Sequence, residues 1–138
     1  MFIQGIKRQD GLVYMDKPMR KPTKRSLERQ LDKELSHIVR NRGSCEKCGS
    51  TNELQCCHIF SRTYMSTRFF LTNLLCLCAG CHFWAHKQPI LFVDFVKRRL
   101  GLREYNNLKQ QAQVIIKWAI PDLETLLSKL KDLNNPCV

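Results

Sequence analysis

The sequence lacks long apolar segments. No apolar run in its 138 residues approaches the ~20 residues that a membrane-spanning helix needs, so we expect no membrane partner. The first residues also lack the apolar stretch and small-residue cleavage site that are typical of a secretory signal. We therefore expect a protein of the reducing cytoplasm. In that compartment, closely paired cysteines among the 8 in the chain are better explained as metal ligands than as disulfides.

Negative charge is also scarce. The chain has 23 Lys and Arg against 12 Asp and Glu, a formal net charge of +11. Such an excess favours a polyanionic partner, because each phosphate that a basic side chain neutralises releases counterions. The alternative is a basic, soluble surface without a partner. The length fits one domain, a hydrophobic content of 43% predicts a folded chain, and no internal repeat is present.

The first part of the chain predicts a basic arm followed by a helix. Residues 1–25 form the extended arm, because Pro18 and Pro22 interrupt any helix. Residues 26–43 form the N-terminal helix, with Ser26 as its cap. Apolar residues recur at near four-residue spacing along one face of this helix: Leu27, Leu31, Leu35 and Ile38.

The remaining residues divide into a cysteine-rich core and a helical region. The core, residues 44–89, predicts two strands at 53–60 and 72–77 and a helix that begins near residue 79. The C-terminal region, residues 90–134, predicts helices at 90–99, at 102–118 and from Pro121 onwards. The expected fold class is α+β, a small core flanked by N- and C-terminal helices.

Two Cys-x2-Cys pairs lie within the core: Cys45 with Cys48, and Cys78 with Cys81. A tetrahedral zinc ion needs four ligands that converge at ~2.3 Å, and each pair supplies two of them from one tight turn. Gly49 and Gly80 provide the backbone freedom that such turns require. The alternative is a coincidental spacing of buried or redox cysteines. Because four thiolates leave no open coordination position, we expect the zinc to be structural.

Three of the four histidines lie in the same core: His58, His82 and His86. His82 and His86 are four residues apart and would share one face of a helix. Together with Asn73 they suit phosphodiester cleavage, in which a neutral imidazole takes a proton from water and an amide carbonyl fixes its tautomer. The helical histidines would hold a divalent cation. The alternative is a partly buried His58 and two ordinary surface histidines.

The segment CEKCGS…LQCCHIFSRTYMSTRFFLTNLLCLCAGCHFWAH resembles HNH (ββα-metal) endonucleases. The order Cys57-His58, Asn73, His82-x3-His86 is similar to that of the colicin DNases, and the cysteine pairs are similar to those of phage and restriction HNH proteins. The runs His-Ile-Phe-Ser-Arg, Ser-Thr-Arg and Cys-x2-Cys-His are similar to the NinG/Rap recombination nucleases of lambdoid phages. The stretch PILFVDFVKRRLGLREYNNL resembles that family more weakly, and residues 1–40 lie outside the resemblance.

The resemblance implies a ββα-metal core and a DNA endonuclease, with branched recombination intermediates as its substrate. It implies His58 as general base, Asn73 as its orienting partner, and Arg62 and Arg68 as residues that contact phosphate or stabilise the transition state. If the chain is encoded by a phage, it would work in the cytoplasm of the bacterial host.

The resemblance also implies a catalytic Mg²⁺, Mn²⁺ or other divalent ion bound by His82 and His86. Cys57 departs from the family pattern, in which the residue before the base is usually an Asp, Glu or His that binds the metal. A thiolate suits zinc better than magnesium. Cys57 is therefore either a ligand for a softer ion or a passive small residue.

Basic residues outside the core are further candidate DNA contacts: Arg20, Lys21, Lys24 and Arg25 in the arm, and Lys97, Arg98 and Arg99 after the core. A solvated charge run explains the arm almost equally well. Trp84 either packs a helix against the core or provides a platform for base stacking. The expected partner is DNA, and the sequence leaves open whether the chain forms a homodimer.

The main alternative to a nuclease is a non-catalytic, zinc-stabilised DNA-binding module. It predicts salt-sensitive binding without cleavage in the presence of any metal. A cysteine-based redox or nucleophilic enzyme has no support in the sequence, because nothing marks one thiol as activated.

Overall fold

The computed structural model describes residues 18–135 and, before them, the backbone of residues 6–7 and 13–14. Those four residues form two short antiparallel strands, β1 (Ile6–Lys7) and β2 (Val13–Tyr14). The other residues of the predicted arm before Pro18 lie outside the described part. Arg20 and Lys21, which are inside it, are exposed and precede the first helix.

Helix α1 (Lys24–Arg40) begins two residues before the predicted start at Ser26. Its N-cap is Thr23, whose hydroxyl accepts from the Ser26 N–H at 3.1 Å, while the Ser26 hydroxyl accepts from the Thr23 N–H at 3.0 Å. This reciprocal capping box satisfies two N–H groups that the first turn leaves free, and it explains the earlier start. Lys24 and Arg25 are therefore helical, so the predicted boundary of the extended arm was wrong.

The middle of the molecule is an antiparallel hairpin, β3 (Leu54–His58) and β4 (Leu74–Cys78), in which Cys56 lies opposite Cys76. A short 3₁₀ turn (Leu71–Asn73) leads into β4, and helix α2 (Ala79–Lys87) follows it directly. Together β3, β4 and α2 form a ββα unit. Residues 74–77 are all buried, because helices cover both faces of the hairpin.

Two hydrophobic cores meet at this hairpin. The first joins α1 to α5 (Ile120–Asn134) and includes Leu74 and Cys76 from β4. The second joins α2 to α3 (Pro89–Leu100) and α4 (Leu102–Ala112), and includes Leu75 and Leu77 from β4. Alternate residues of one strand therefore contribute to different cores, as the pleat of a strand requires. The expected small α+β fold is confirmed.

The segment after α4 is irregular, although the sequence predicted a helix as far as residue 118. It closes over the loop between β3 and β4 instead. The Trp118 indole N–H donates to the Met65 carbonyl at 2.9 Å, and the Ser66 hydroxyl donates to the Gln111 carbonyl at 2.7 Å. No helix within the described residues is both long and apolar enough to cross a membrane.

Candidate functional site

The four paired cysteines converge. The sulfur atoms of Cys45, Cys48, Cys78 and Cys81 all lie within 4.8 Å of one another. In each pair a backbone N–H points back at the first sulfur, from Cys48 to Cys45 at 3.5 Å and from Cys81 to Cys78 at 3.4 Å. Four thiols so placed are positioned to bind a metal ion. Among the described residues this is the only group of three or more such side chains within reach of one ion.

The ionisation of these thiols also fits a bound cation. Burial raises the pKa of Cys45, but backbone N–H groups of Cys48, Cys78 and Lys47 outweigh it and lower that pKa to about 6. Burial and the neighbouring thiols raise the pKa of Cys81 instead. A soft metal cation would stabilise all four ligands as thiolates.

Glu46, which sequence reasoning overlooked, connects this cluster to the rest of the fold. One of its carboxylate oxygens accepts from the Cys76 N–H and from Arg42, and the other accepts from Arg99 at 2.6 Å. Burial raises the pKa of Glu46, but these donors outweigh it and hold the pKa below its ordinary value. Arg99 was predicted to contact DNA. The structure places it in this ion pair with its side chain 44% exposed, and the DNA contact stays a prediction.

Most of the predicted site residues line a single cleft, whereas Asn73 and Arg68 do not. Its wall is formed by the end of β3, the loop that follows, α2 and one side of α1, and its volume is about 690 Å³. His58, Arg62, His82 and His86 all contribute to it. Residues that are distant in the sequence therefore come together at one site in the structure.

His58, the last residue of β3, is held by the backbone. Its Nε2 lies 3.2 Å from the Arg68 carbonyl oxygen. Because a carbonyl only accepts, Nε2 carries the proton and Nδ1 remains a free acceptor. Burial lowers the pKa of His58, and the nearby cations Arg62 and Arg68 act in the same direction, while the hydrogen bond to the Arg68 carbonyl and the Asp32 carboxylate oppose them. The imidazole is therefore neutral at pH 7 and able to accept a proton.

Asn73 acts on the backbone rather than on the imidazole. Its fully buried side chain accepts from the Phe60 N–H at 2.8 Å and donates to the Phe60 carbonyl at 2.9 Å. Its own carbonyl accepts from the Ile59 N–H at 2.8 Å. The prediction that the Asn73 amide fixes the tautomer was wrong, since the Arg68 carbonyl does so. Asn73 instead fixes the path of the chain immediately after His58.

His82 and His86 form a pair on α2. Their ring centroids are 5.0 Å apart, and His82 Nδ1 lies 2.8 Å from the Gln55 amide oxygen. That acceptor assigns the proton to Nδ1 and leaves Nε2 available as a ligand, which is how metal-binding histidines are commonly oriented. Burial lowers the pKa of His82, and so does His86. His86 brings a second imidazole into the same cleft, next to that of His82.

Cys57 does not resemble a third ligand. Its side chain is 3% exposed and packs with Leu75 and Leu77. Burial raises the pKa of this thiol to about 12, which keeps it protonated at neutral pH. Of the two alternatives that the sequence left open, the geometry favours the passive small residue.

Helix α1 brings two unpredicted polar residues, Asp32 and Ser36, into the cleft wall. The Asp32 carboxylate accepts from Arg68 Nη2 at 2.6 Å and lies 3.8 Å from Arg62 Nη1. Arg68 also lies 3.8 Å from Glu28. The guanidinium of Arg68 is thus paired within the fold, and its contact with phosphate stays a prediction. Arg62 is exposed and stays available at the cleft.

Comparison with known proteins found no matching family model, no matching curated protein and no matching solved structure. The functional interpretation therefore depends on the geometry of the cleft and the cysteine cluster, together with the motif resemblance described above.

Proposed function

We propose that this chain is a metal-dependent DNA endonuclease of the HNH type. The observation that carries the proposal is the state of His58, a neutral imidazole whose Nε2 is bound to the Arg68 carbonyl and whose Nδ1 is free, in the same cleft as His82 and His86. A base in this state, beside two candidate metal ligands, is what hydrolysis of a phosphodiester requires.

The placement of the residues within the ββα unit supports the proposal. His58 ends the first strand, Asn73 immediately precedes the second, and His82 lies in the first turn of the helix. The resemblance implies the same order of element and residue. The net charge of +11 favours a polyanionic substrate such as DNA.

In the proposed mechanism, His58 Nδ1 accepts a proton from the water whose oxygen attacks phosphorus. The P–O bond opposite the attacking oxygen breaks, and the leaving oxygen takes a proton from solvent water. The Arg68 carbonyl keeps Nε2 protonated, and Asn73 keeps the backbone beside His58 in place. Arg62 binds a phosphate oxygen and offsets its charge. His82 and His86 would hold the divalent cation, which when bound supplies electrostatic stabilisation of the developing negative charge.

The cysteine cluster takes the structural role in this proposal. We propose that Cys45, Cys48, Cys78 and Cys81 hold one zinc ion, because tetrahedral coordination by four thiolates is typical of structural zinc. The ion would join the turn before β3 to the start of α2, and so fix the helix that carries His82 and His86.

The test is cleavage of plasmid and branched DNA in the presence of Mg²⁺, Mn²⁺ or other divalent ions. We expect His58→Ala to slow cleavage by about 10²- to 10⁴-fold, the usual contribution of a general base, with unchanged zinc content. His37→Ala is the matched control, because His37 is exposed on α1 and does not line the cleft. Equal cleavage by the parent and His58→Ala proteins would refute the mechanism.

A second candidate function is a non-catalytic, zinc-stabilised DNA-binding module. It is favoured by one observation: Cys57 is a protonated, buried thiol, so the cleft offers two clear metal ligands rather than three. This candidate predicts salt-sensitive DNA binding, no cleavage with any divalent ion, and unchanged binding by His58→Ala. The same cleavage assay separates the two functions.

A further inference from the structure

A second concave surface lies beside the ββα unit, outside the cleft. This groove is lined by Lys47 from the first cysteine turn, Trp84 from α2, and Asp94, Phe95, Lys97 and Arg98 from α3, and its volume is about 660 Å³. Three of these residues are basic and one is acidic, so the groove carries a net positive charge. None of its lining residues lines the cleft.

The indole of Trp84 is held firmly in the groove. It contacts Phe92 and Phe95 edge-to-face, with centroid distances of 6.4 and 6.3 Å. The Lys47 ammonium lies 4.3 Å from the Trp84 ring centroid, over its face. Because Lys47 is an exposed, flexible side chain, a flat aromatic ligand can replace it over the indole. The displaced ammonium would then be free to pair with an anion carried by the same ligand.

The groove and the cleft lie on opposite sides of one helix. Trp84 is two residues from both His82 and His86, and residues two apart are separated by about 200° around a helix axis. Between these sides, the outer surface of α2 carries Phe83, which is 64% exposed, and Lys87, whose ammonium lies 5.4 Å from the Phe83 ring centroid. Aromatic and basic side chains therefore also cover the outer surface of α2, between the cleft and the groove.

We infer that the groove binds an unpaired nucleotide of a DNA strand, with its base stacked on Trp84 and its phosphates paired with Lys47, Lys97 and Arg98. An aromatic face within a basic groove, once the Lys47 side chain moves off it, is the arrangement that binds single strands, because every base can stack and every phosphate is anionic. A base within a duplex is already stacked on both sides. The choice of DNA as the ligand rests on the proposed function, whereas the preference for an unpaired nucleotide rests on the groove.

The test measures binding separately from cleavage. The full chain with His58→Ala, without added divalent ion, is titrated with a single-stranded oligonucleotide of deoxythymidine and with a duplex of equal length. We expect the single strand to bind more tightly and to quench tryptophan emission. Trp84→Phe should remove most of that quenching, because the other tryptophan, Trp118, packs against Phe69 in the first core. Trp84→Leu should weaken single-strand binding by about fivefold to a hundredfold.

Because Trp84→Leu can disturb packing against Phe92 and Phe95, exposed variants provide an independent readout. The double variant Lys47→Ala with Arg98→Ala should reduce the slope of log affinity against log salt by about 0.7 for each phosphate that the protein no longer neutralises. Lys129→Ala, an exposed lysine on α5 outside the groove, is the matched control and should leave the slope near the parent value.

Three results would overturn the inference: unquenched tryptophan emission on binding, equal loss of affinity in the groove and Lys129 variants, or a parent dimer that the groove variants convert to a monomer. The last would identify this face, which also includes the exposed Leu91, as a subunit interface. Cleavage of duplex DNA without single-strand binding would refute nucleotide binding in the groove but not the proposed nuclease. Single-strand binding without any cleavage would refute the proposed nuclease activity but not nucleotide binding in the groove.

Discussion

At the scale of single residues, Asp32 is the most important residue of the cleft that the sequence did not predict. Its carboxylate binds Arg68 through Nη2 at 2.6 Å and Nε at 3.3 Å, and the Arg68 carbonyl in turn binds His58. Asp32 also lies near Arg62. In the proposed nuclease it would be a positioning residue, which acts on His58 through the loop rather than by contact with substrate.

We predict that Asp32→Asn slows cleavage by about tenfold, equivalent to ~1.4 kcal/mol, because the loop that holds His58 and Arg62 loses its anchor. The pKa of His58 should fall further, since the Asp32 carboxylate is a charge that raises it. In a profile of rate against pH, the rise that marks deprotonation of the base should then move to lower pH. NMR titration of His58 measures this shift without reference to activity.

The control for this experiment is Asp132→Asn, which removes the same charge from an exposed position on α5. It should leave both the rate and the His58 pKa unchanged. A purely structural role for Asp32 would lower the yield of folded protein without moving the His58 titration, and an unmoved titration would reject the positioning role.

At the scale of elements, the ββα unit is held by side chains from the helices on either side of it. Glu46 joins the first cysteine turn to Arg42 beyond the end of α1, to the Cys76 N–H on β4 and to Arg99 in the last turn of α3. The Glu46 side chain is 13% exposed, whereas those of Arg42 and Arg99 are 35% and 44% exposed, so the carboxylate is largely buried and its arginine partners reach solvent. Hydrogen bonds of this kind contribute more than surface ion pairs do.

We predict that Glu46→Gln lowers the free energy of unfolding by about 1–3 kcal/mol at pH 7, because two arginines and a backbone N–H lose a charged acceptor. Urea unfolding followed by circular dichroism measures this change. Glu124→Gln, at an exposed position on α5, is the matched control and should change stability little. A similar loss in both variants would show that Glu46 has no special part in joining these elements.

At the scale of the whole molecule, two cores share one hairpin, and only the second contains the cysteine cluster. Cys45 and Cys81 belong to that core together with Leu77, Phe92 and Val96. The first core, between α1 and α5, is formed by leucines and needs no ligand for its burial. Binding of the proposed zinc ion would therefore contribute directly to the stability of the half of the molecule that carries α2.

We predict one zinc ion per chain and a large loss of thermal stability when a chelator removes it. Cys81→Ser should abolish zinc binding and reproduce that loss, because it removes one of four converging ligands. Cys56→Ser should retain the zinc, since Cys56 lies outside the cluster. Metal analysis and thermal unfolding provide the two measurements. Unchanged melting of the zinc-free protein would contradict a structural metal.

Features that depend on neighbouring residues could be predicted from the order of amino acids alone. The spacing of Cys45 with Cys48 and of Cys78 with Cys81 predicted two tight turns whose cysteines converge. Apolar periodicity predicted the helices. Both patterns involve residues that are only a few positions apart in the sequence. The predicted ends of the helices were less accurate. α1 starts at Lys24 through a cap that Thr23 provides, and the predicted helix after Leu102 stops at Ala112.

Which charged and polar groups are free depends instead on how the elements pack together. Arg68 pairs with Asp32 and Arg99 with Glu46, whereas Arg62 stays exposed, although the sequence presents all three as equivalent basic residues. These pairs join residues 36 and 53 positions apart, so they form only when the helices dock on the hairpin. Packing therefore decides how accessible each basic side chain is, and it leaves the Arg62 side chain 64% exposed but that of Arg68 only 16% exposed.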